Sequence, residues 1–203
     1  MEDYQLLNEF AANRSETAFQ TLTNRHLNLV YSVALRRVGE AQLAQDVAQA
    51  VFLLLARKAG HLPAGTVLPG WLYRTTQFVA QRALRSQLRR QRRETEAFQM
   101  QSTVSSDPNW QQFAPVLDEA LEKLKAADRD AIILRYFQAH SLMQVGLALG
   151  VSEAAAGKRV ARALESLRAY FGRHGLPSRW PPSPRPSASR APGPPPSIWA
   201  RPL

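Results

Sequence analysis

Seven arginines lie between Arg74 and Arg93, and from Asp46 to Glu94 the chain places nine Lys or Arg with no acidic residue between. In a helix, Arg82, Arg85, Arg89, Arg92 and Arg93 project within an arc of roughly 100° at 3.6 residues per turn. Like charges that close repel one another and cost stability. A polyanion that neutralises them accounts for the pattern better than a solvated face does. Trp71, Tyr73 and Phe78 lie upstream in the same stretch. Aromatic rings among arginines suit unpaired bases, which stack on the rings while the cations hold the backbone. Trp71 and Phe78 also suit a core, and for Phe78 the core is the favoured expectation.

A second basic cluster sits in residues 141–172. Leu142, Val145, Gly146 and Leu149 recur at helical period, and Gly150 can take the left-handed conformation that ends a helix. Ser152 is a natural N-cap for the helix that follows. Ala156, Val160, Ala163, Leu164, Leu167 and Phe171 form its apolar stripe, and Lys158, Arg159 and Arg162 lie away from it. Two helices with a tight turn and a basic second helix have the layout of a helix-turn-helix, which reads base edges in the major groove. A helical hairpin with a solvated basic face is the alternative for this stretch taken alone.

These elements need a scaffold, and the composition supplies one. The chain has 203 residues, enough for one domain or two small ones, with 45% hydrophobic residues and a net charge of +10. That balance favours an anionic partner, nucleic acid or a membrane surface. With no cysteine, disulfides and thiolate metal sites are excluded. No apolar run of about 18 residues occurs, and the opening MEDYQLLNEF is acidic, so a soluble cytoplasmic protein is expected. The four histidines (His26, His61, His140, His174) show no ligand spacing, and neither a phosphate-binding loop nor a nucleophile elbow is present. An enzyme is the least favoured class, and no cofactor is implied.

In order, Ser15 should cap a long helix that carries Phe19, Leu22, His26, Leu29, Val30 and Val33 and stops at Gly39. His26 falls in the apolar stripe and is expected as a core or boundary histidine. The next helix, 40–58, buries Leu43, Val47, Ala50, Val51 and Leu54 and leaves Gln42, Gln45, Asp46 and Gln49 on a polar face, with Phe52 adjoining. Residues 59–70 read as a loop and 71–93 as the arginine helix. Residues 94–115 lose periodicity and are expected to be a linker that leaves the flanking modules poorly oriented. Helices resume at 116–125 and 128–137. From Pro177 onward ten of 27 residues are proline and none is acidic, so a disordered or polyproline-II-like tail is expected.

Two basic helical modules in this order resemble the bacterial RNA polymerase sigma factors, most closely the small extracytoplasmic-function (ECF) group. LAQDVAQAVFLLLARK (43–58) carries the D-x-x-Q-x-x-F pattern of that family's docking helix as Asp46, Gln49 and Phe52. GWLYRTTQFVAQRALRSQLRRQRRE (70–94) is similar to its promoter-melting helix, and residues 121–168 are similar to its C-terminal domain. The resemblance implies an all-α protein of two small helical domains joined by a flexible linker, with a region 2-like module at 1–93, a linker at 94–115, a region 4-like module at 116–174 and a Pro-rich tail at 175–203. It implies a promoter-specificity subunit whose face around Gln45, Asp46, Gln49 and Phe52 docks on the clamp coiled coil of the polymerase β′ subunit. Trp71, Arg74, Arg82, Arg85, Arg89 and Arg90 would hold the unpaired minus-ten strand. Ser152, Lys158, Arg159 and Arg162 would read the minus-thirty-five element while their module touches the β flap. Promoter DNA and core polymerase are the implied partners, an anti-sigma factor is a frequent companion in the family, and no membrane insertion is implied.

The chain departs from the family at two places. Gln45 stands where an acidic residue is usual before the docking aspartate, and Ala155, Ala156 and Gly157 stand where Thr-Val-Lys is frequent. Gly157 should cost its helix about 1 kcal/mol relative to alanine. Base reading then rests on Lys158, Arg159 and Arg162, or partly on DNA shape. Two other readings compete: a freestanding helix-turn-helix regulator, which leaves the arginine helix without a task, and a sequence-indifferent binder of nucleic acid or anionic membrane, which needs no recognition helix.

Overall fold

The computed structural model describes residues 3–95 and 108–174, with side chains described over 3–87 and 116–174. The expected tail and residues 96–107 of the expected linker lie outside the described residues. Among the described residues every regular element is helical. Helix α1 spans Asp3–Asn13 and α2 spans Glu16–Val38, where the Ser15 side chain accepts from the Ala18 amide at 3.3 Å. Helix α3 is Ala41–Lys58, and a single tight turn follows at Ala59–His61. Helix α4 is Leu68–Thr95 and so begins before Trp71. Pro69 lies in its first turn, where no amide hydrogen is required and a fixed φ costs nothing.

Helix α5, Pro108–Lys123, takes over the last part of the stretch expected to be linker. Its start at a proline explains the difference, because the residue that reads as a breaker is also a favoured first helical residue. Helix α6, Ala126–Ile132, runs into a wider turn at Ile133–Phe137, where the Gln138 amide reaches the Ile133 carbonyl at 3.1 Å. Helix α7 is Leu142–Leu149 and α8 is Glu153–Arg173.

The helix-turn-helix is closed by its own local chemistry. Ser141 and Gln144 form a reciprocal capping box on α7, and the Ser152 hydroxyl accepts from the Ala155 amide at 3.3 Å to start α8. Gly150 ends α7 at φ 63°. Gly146 lies where α7 meets the turn, and a Cβ there would come within 2.8 Å of the Val151 carbonyl oxygen. Any side chain at that position would push the two helices apart.

Two apolar cores result. The first joins α1–α4 through Leu22, Val30, Ala44, Val51, Leu55 and Leu72. The second joins α5–α8 through Leu117, Leu121, Ile133, Val145, Val160 and Phe171, and it also takes in Leu29, Val33 and Tyr73 from the first module. The modules are therefore packed together, which overturns the expectation of poorly oriented halves. Leu29 and Val33 lie on a side of α2 that the first core leaves open, and burying each is worth roughly 1.5–3 kcal/mol.

Candidate nucleic-acid interface and docking face

On α3, Asp46 and Gln49 are exposed and Gln45 is half-buried. Phe52 is not on that surface. It is 4% exposed in the first core, beside Val51 and Leu55, so the aromatic member expected on the docking face can shape it only from beneath. The exposed apolar residue is Leu53, 42% accessible, seven positions on from Asp46 and so on the same side of the helix. Helical spacing puts 46, 49 and 53 on one side, but 52 is only three residues from 49, so spacing left both Phe52 and Leu53 as candidates for that face.

On α4 the reverse correction applies. Phe78 is 64% exposed, although a core place was favoured for it, whereas Trp71 is half-buried against the first core. Phe78 is four residues from both Arg74 and Arg82, inside the arginine arc, and that register was readable in advance. Arg74, Arg82 and Arg85 are exposed around it. Arg89 and Arg90 belong to α4, with side chains outside those described. The arrangement is an exposed ring among guanidinium groups on one long helix, the form a single-strand stacking platform takes.

On α8, Lys158 is exposed and Arg159 half-buried. Arg162 is held within its own module: Nε donates to Asp128 Oδ2 at 3.0 Å, and its NH2 group donates to Oδ1. That bidentate bond to Asp128 favours the charged guanidinium and raises its pKa. Ser152 spends its hydroxyl on the helix cap. Of the four residues expected at this interface, Lys158 and Arg159 retain cationic groups without a bond to a carboxylate in the structure.

Arg159 also lines a cleft of about 1080 Å³ between the modules, with Asp3, Arg25, His26, Gln144 and Leu147. Leu147 is 73% exposed, with Met143 nearby on α7. His26 is buried as expected, its Nε2 2.8 Å from Asp3 Oδ2. Burial alone would push the Asp3 carboxyl up, but hydrogen bonds and charge from His26 and Arg25 outweigh it and hold Asp3 below the usual range. Burial lowers the pKa of His140, and His26 and Arg25 lower it further against the pull of Asp3.

The seam between the modules carries residues that no motif singled out. Tyr73 donates to Asp118 Oδ1 at 3.1 Å, and Gln77 donates to the Tyr73 oxygen at 3.2 Å. Arg36 lies 3.9 Å from the same Asp118 oxygen, with its guanidinium 5.2 Å from the centre of the Phe137 ring. Burial, and then the Asp118 charge, push the Tyr73 hydroxyl far above its ordinary range, so it stays protonated and donates. Asp130 approaches the first turn of α4, with Arg74 at 3.5 Å. Its carboxyl is raised by burial, against the opposing charges of Arg74 and Arg129. Among the described residues no three His, Asp or Glu side chains converge as metal ligands would, and no helix is long and apolar enough to cross a membrane.

Comparison with known proteins agrees with this division. Residues 22–93 match the Sigma-70 region 2 family, and residues 116–167 match Sigma-70 region 4. The chain is 31% identical over 166 residues to the RNA polymerase sigma factor CarQ of Myxococcus xanthus, covering 78% of this chain and 91% of CarQ. It is 28% identical over 165 residues to the ECF RNA polymerase sigma factor SigE of Mycolicibacterium smegmatis, covering 77% and 63% of the two chains. Among solved structures it is similar to the sigma factor RpoE in complex with the anti-sigma factor NepR from Bartonella quintana, at 21% identity and a TM-score of 0.39 over 76% of this chain and 96% of that one. A second is CnrH in complex with the cytosolic domain of CnrY, at 21% identity and a TM-score of 0.42 over 84% and 97%.

Proposed function

Since this chain belongs to the sigma factors of bacterial RNA polymerase, in the extracytoplasmic-function group, we propose that its two helical modules divide promoter recognition between them. The α3 face of Gln45, Asp46, Gln49 and Leu53 docks on the β′ clamp coiled coil of core polymerase. The exposed side of α4 holds the unpaired minus-ten strand, with Phe78 stacking on a base and Arg74, Arg82 and Arg85 on the phosphates. Arg89 and Arg90, further along α4, contribute positive charge toward the same strand. The α7–α8 pair reads the minus-thirty-five element through Lys158 and Arg159, while Arg162 and Ser152 keep the recognition helix in shape, and its module touches the β flap. The protein works in the cytoplasm, where the polymerase and promoter DNA are, and carries out no catalytic step of its own.

The observation that carries this reading is Phe78, a phenyl ring left in water amid arginines on the helix that begins with Leu68. A large exposed ring costs solvation unless a partner covers it, and a base flipped from the duplex is a flat apolar cover. A freestanding regulator has no use for that surface, because duplex DNA offers no unpaired strand. The test is promoter opening. The isolated protein should bind duplex weakly, with affinity falling steeply as salt rises. Adding core polymerase should give sequence-specific binding and permanganate-reactive thymines upstream of the start site. Tight specific duplex binding by the protein alone, indifferent to core polymerase, would overturn the proposal.

A further inference from the structure

The cleft between the modules holds polar groups that the protein leaves unmatched. It encloses about 1080 Å³, just above the roughly 300–1,000 Å³ typical of small-molecule sites. His26, 1% exposed, and His140 both line it, and the Nδ1 of each is buried without a hydrogen-bond partner in the protein. Buried polar atoms left unpaired favour a molecule that satisfies them, directly or through a water it carries.

The charges along the cleft are matched save one. Asp3 is held by His26 at 2.8 Å and by Arg25. Asp130 packs onto Gly70 at the start of α4, where a Cβ would lie 2.2 Å from its Oδ1, and it faces Arg74 at 3.5 Å. Arg159, half-buried on the α8 side, has no bond to a carboxylate among the described residues. Beside it the lining turns apolar. Leu147, 73% exposed on α7, stands in the cleft, and Val67 and Pro69 line it from the first module.

We propose that this cleft is a binding site for a small monocarboxylate with an apolar body, its carboxylate on Arg159 and its body on Leu147, Val67 and Pro69. A guanidinium presents two parallel N–H donors in the geometry of a carboxylate. The site selects a single negative charge, because Asp3 and Asp130 line the same cleft and would repel a dianionic head. An uncharged head would leave the Arg159 guanidinium unpaired. The apolar body removes from water a leucine side chain that the fold leaves in it. The site stands independently of the function proposed above, since its test uses neither DNA nor polymerase.

Octanoate, octanol and octyl phosphate share one tail and differ in the head, so they separate these cases. Each is titrated calorimetrically into the full-length protein at about pH 8, where the phosphate head is doubly charged. Octanoate should bind one to one with a Kd of about 1 mM or tighter, within reach of so small a ligand. Octanol and octyl phosphate should each bind at least about tenfold more weakly. Arg159→Gln should lower octanoate affinity about tenfold while leaving octanol binding unchanged. Leu147→Asp, which puts a charge in the apolar wall at an exposed position, should lower affinity for octanoate with melting unchanged. Arg168→Gln, which removes an exposed cation of α8 outside the cleft, should leave octanoate binding as it was. Absence of octanoate binding at about 5 mM, equal binding of the three heads, or equal losses from Arg168→Gln and Arg159→Gln each overturns the site.

Discussion

The Tyr73 hydroxyl donates to the Asp118 carboxylate at 3.1 Å across 45 residues of chain, joining a helix of the DNA-strand module to the first helix of the helix-turn-helix module. Neither residue belongs to a motif, yet this bond and the apolar contacts around it set how the two promoter-reading surfaces stand to each other. Asp118, Arg36 and the Tyr73 hydroxyl share one buried site, so the loss of any one partner leaves a buried polar group without its match.

The docking face is tested by three substitutions on one helix. Asp46→Arg should abolish binding to core polymerase in a pull-down while moving stability by no more than about 0.5 kcal/mol, since the side chain is exposed. Leu53→Ser should weaken core binding with equally little effect on folding. Phe52→Ala should instead destabilise by about 3–5 kcal/mol, the cost of a cavity in the first core. If Phe52→Ala leaves melting unchanged and Leu53→Ser leaves core binding unchanged, the apolar partner has been assigned to the wrong residue.

The strand platform makes a kinetic prediction. Phe78→Ala should leave the melting temperature close to that of the unmutated chain and reduce permanganate reactivity at the minus-ten thymines. The loss should correspond to the roughly 1–3 kcal/mol that one stacked base contributes. Phe78→Tyr should retain most of the opening activity. Equal opening by the alanine and unmutated chains would remove Phe78 from the interface.

In the recognition helix, two neighbouring arginines should fail in different assays. Arg162→Ala leaves the buried Asp128 without its bidentate donor, so it should lower the melting temperature of the protein free of DNA. Arg159→Ala should leave melting nearly unchanged. It should weaken holoenzyme binding to the upstream element by about 1–3 kcal/mol if its contact is a guanine edge. Reduced binding without reduced stability for Arg162→Ala would mean that it reaches DNA after all.

Acid should loosen the seam through His140. Its pKa in the folded protein is depressed by burial and by the nearby His26 and Arg25, against Asp3. For a base shifted down, the stabilising contribution is complete above the unfolded value, 6.5, and is lost as pH falls through the folded value. Thermal melts between pH 7.5 and 5 should show stability falling over that range. His140→Gln should flatten the decline, and an unchanged pH profile would exclude His140 as its source. Asp130, shifted up by burial, contributes in the opposite sense, with its stabilisation present at low pH and lost as pH rises through its raised value.

Much of this protein follows from local pattern. The caps at Ser15 and Ser152, the stop at Gly39, the α7–α8 turn and the buried place of His26 were legible because each depends on a few adjacent residues and a fixed helical period. The arginine strip was legible as a run of unpaired charge, and counting the register at four residues would have put Phe78 on it. Exposure was harder to read. Whether Phe52 or Leu53 faces out depends on which side of α3 meets α2 and α4, and an apolar run such as Val51–Leu55 carries both possibilities.

The relation between the modules was decided only by tertiary structure. Nothing in the spacing of Tyr73, Asp118, Asp130 and Gly70 announces a contact, since they are brought together by long-range packing and not by periodicity. Leu29 and Val33 look like ordinary core residues of their own helix, yet they are buried under the other module. A sequence read one element at a time specifies faces. Which two faces meet depends on burying both cores at once, and that is settled by shape and buried area summed over the whole chain.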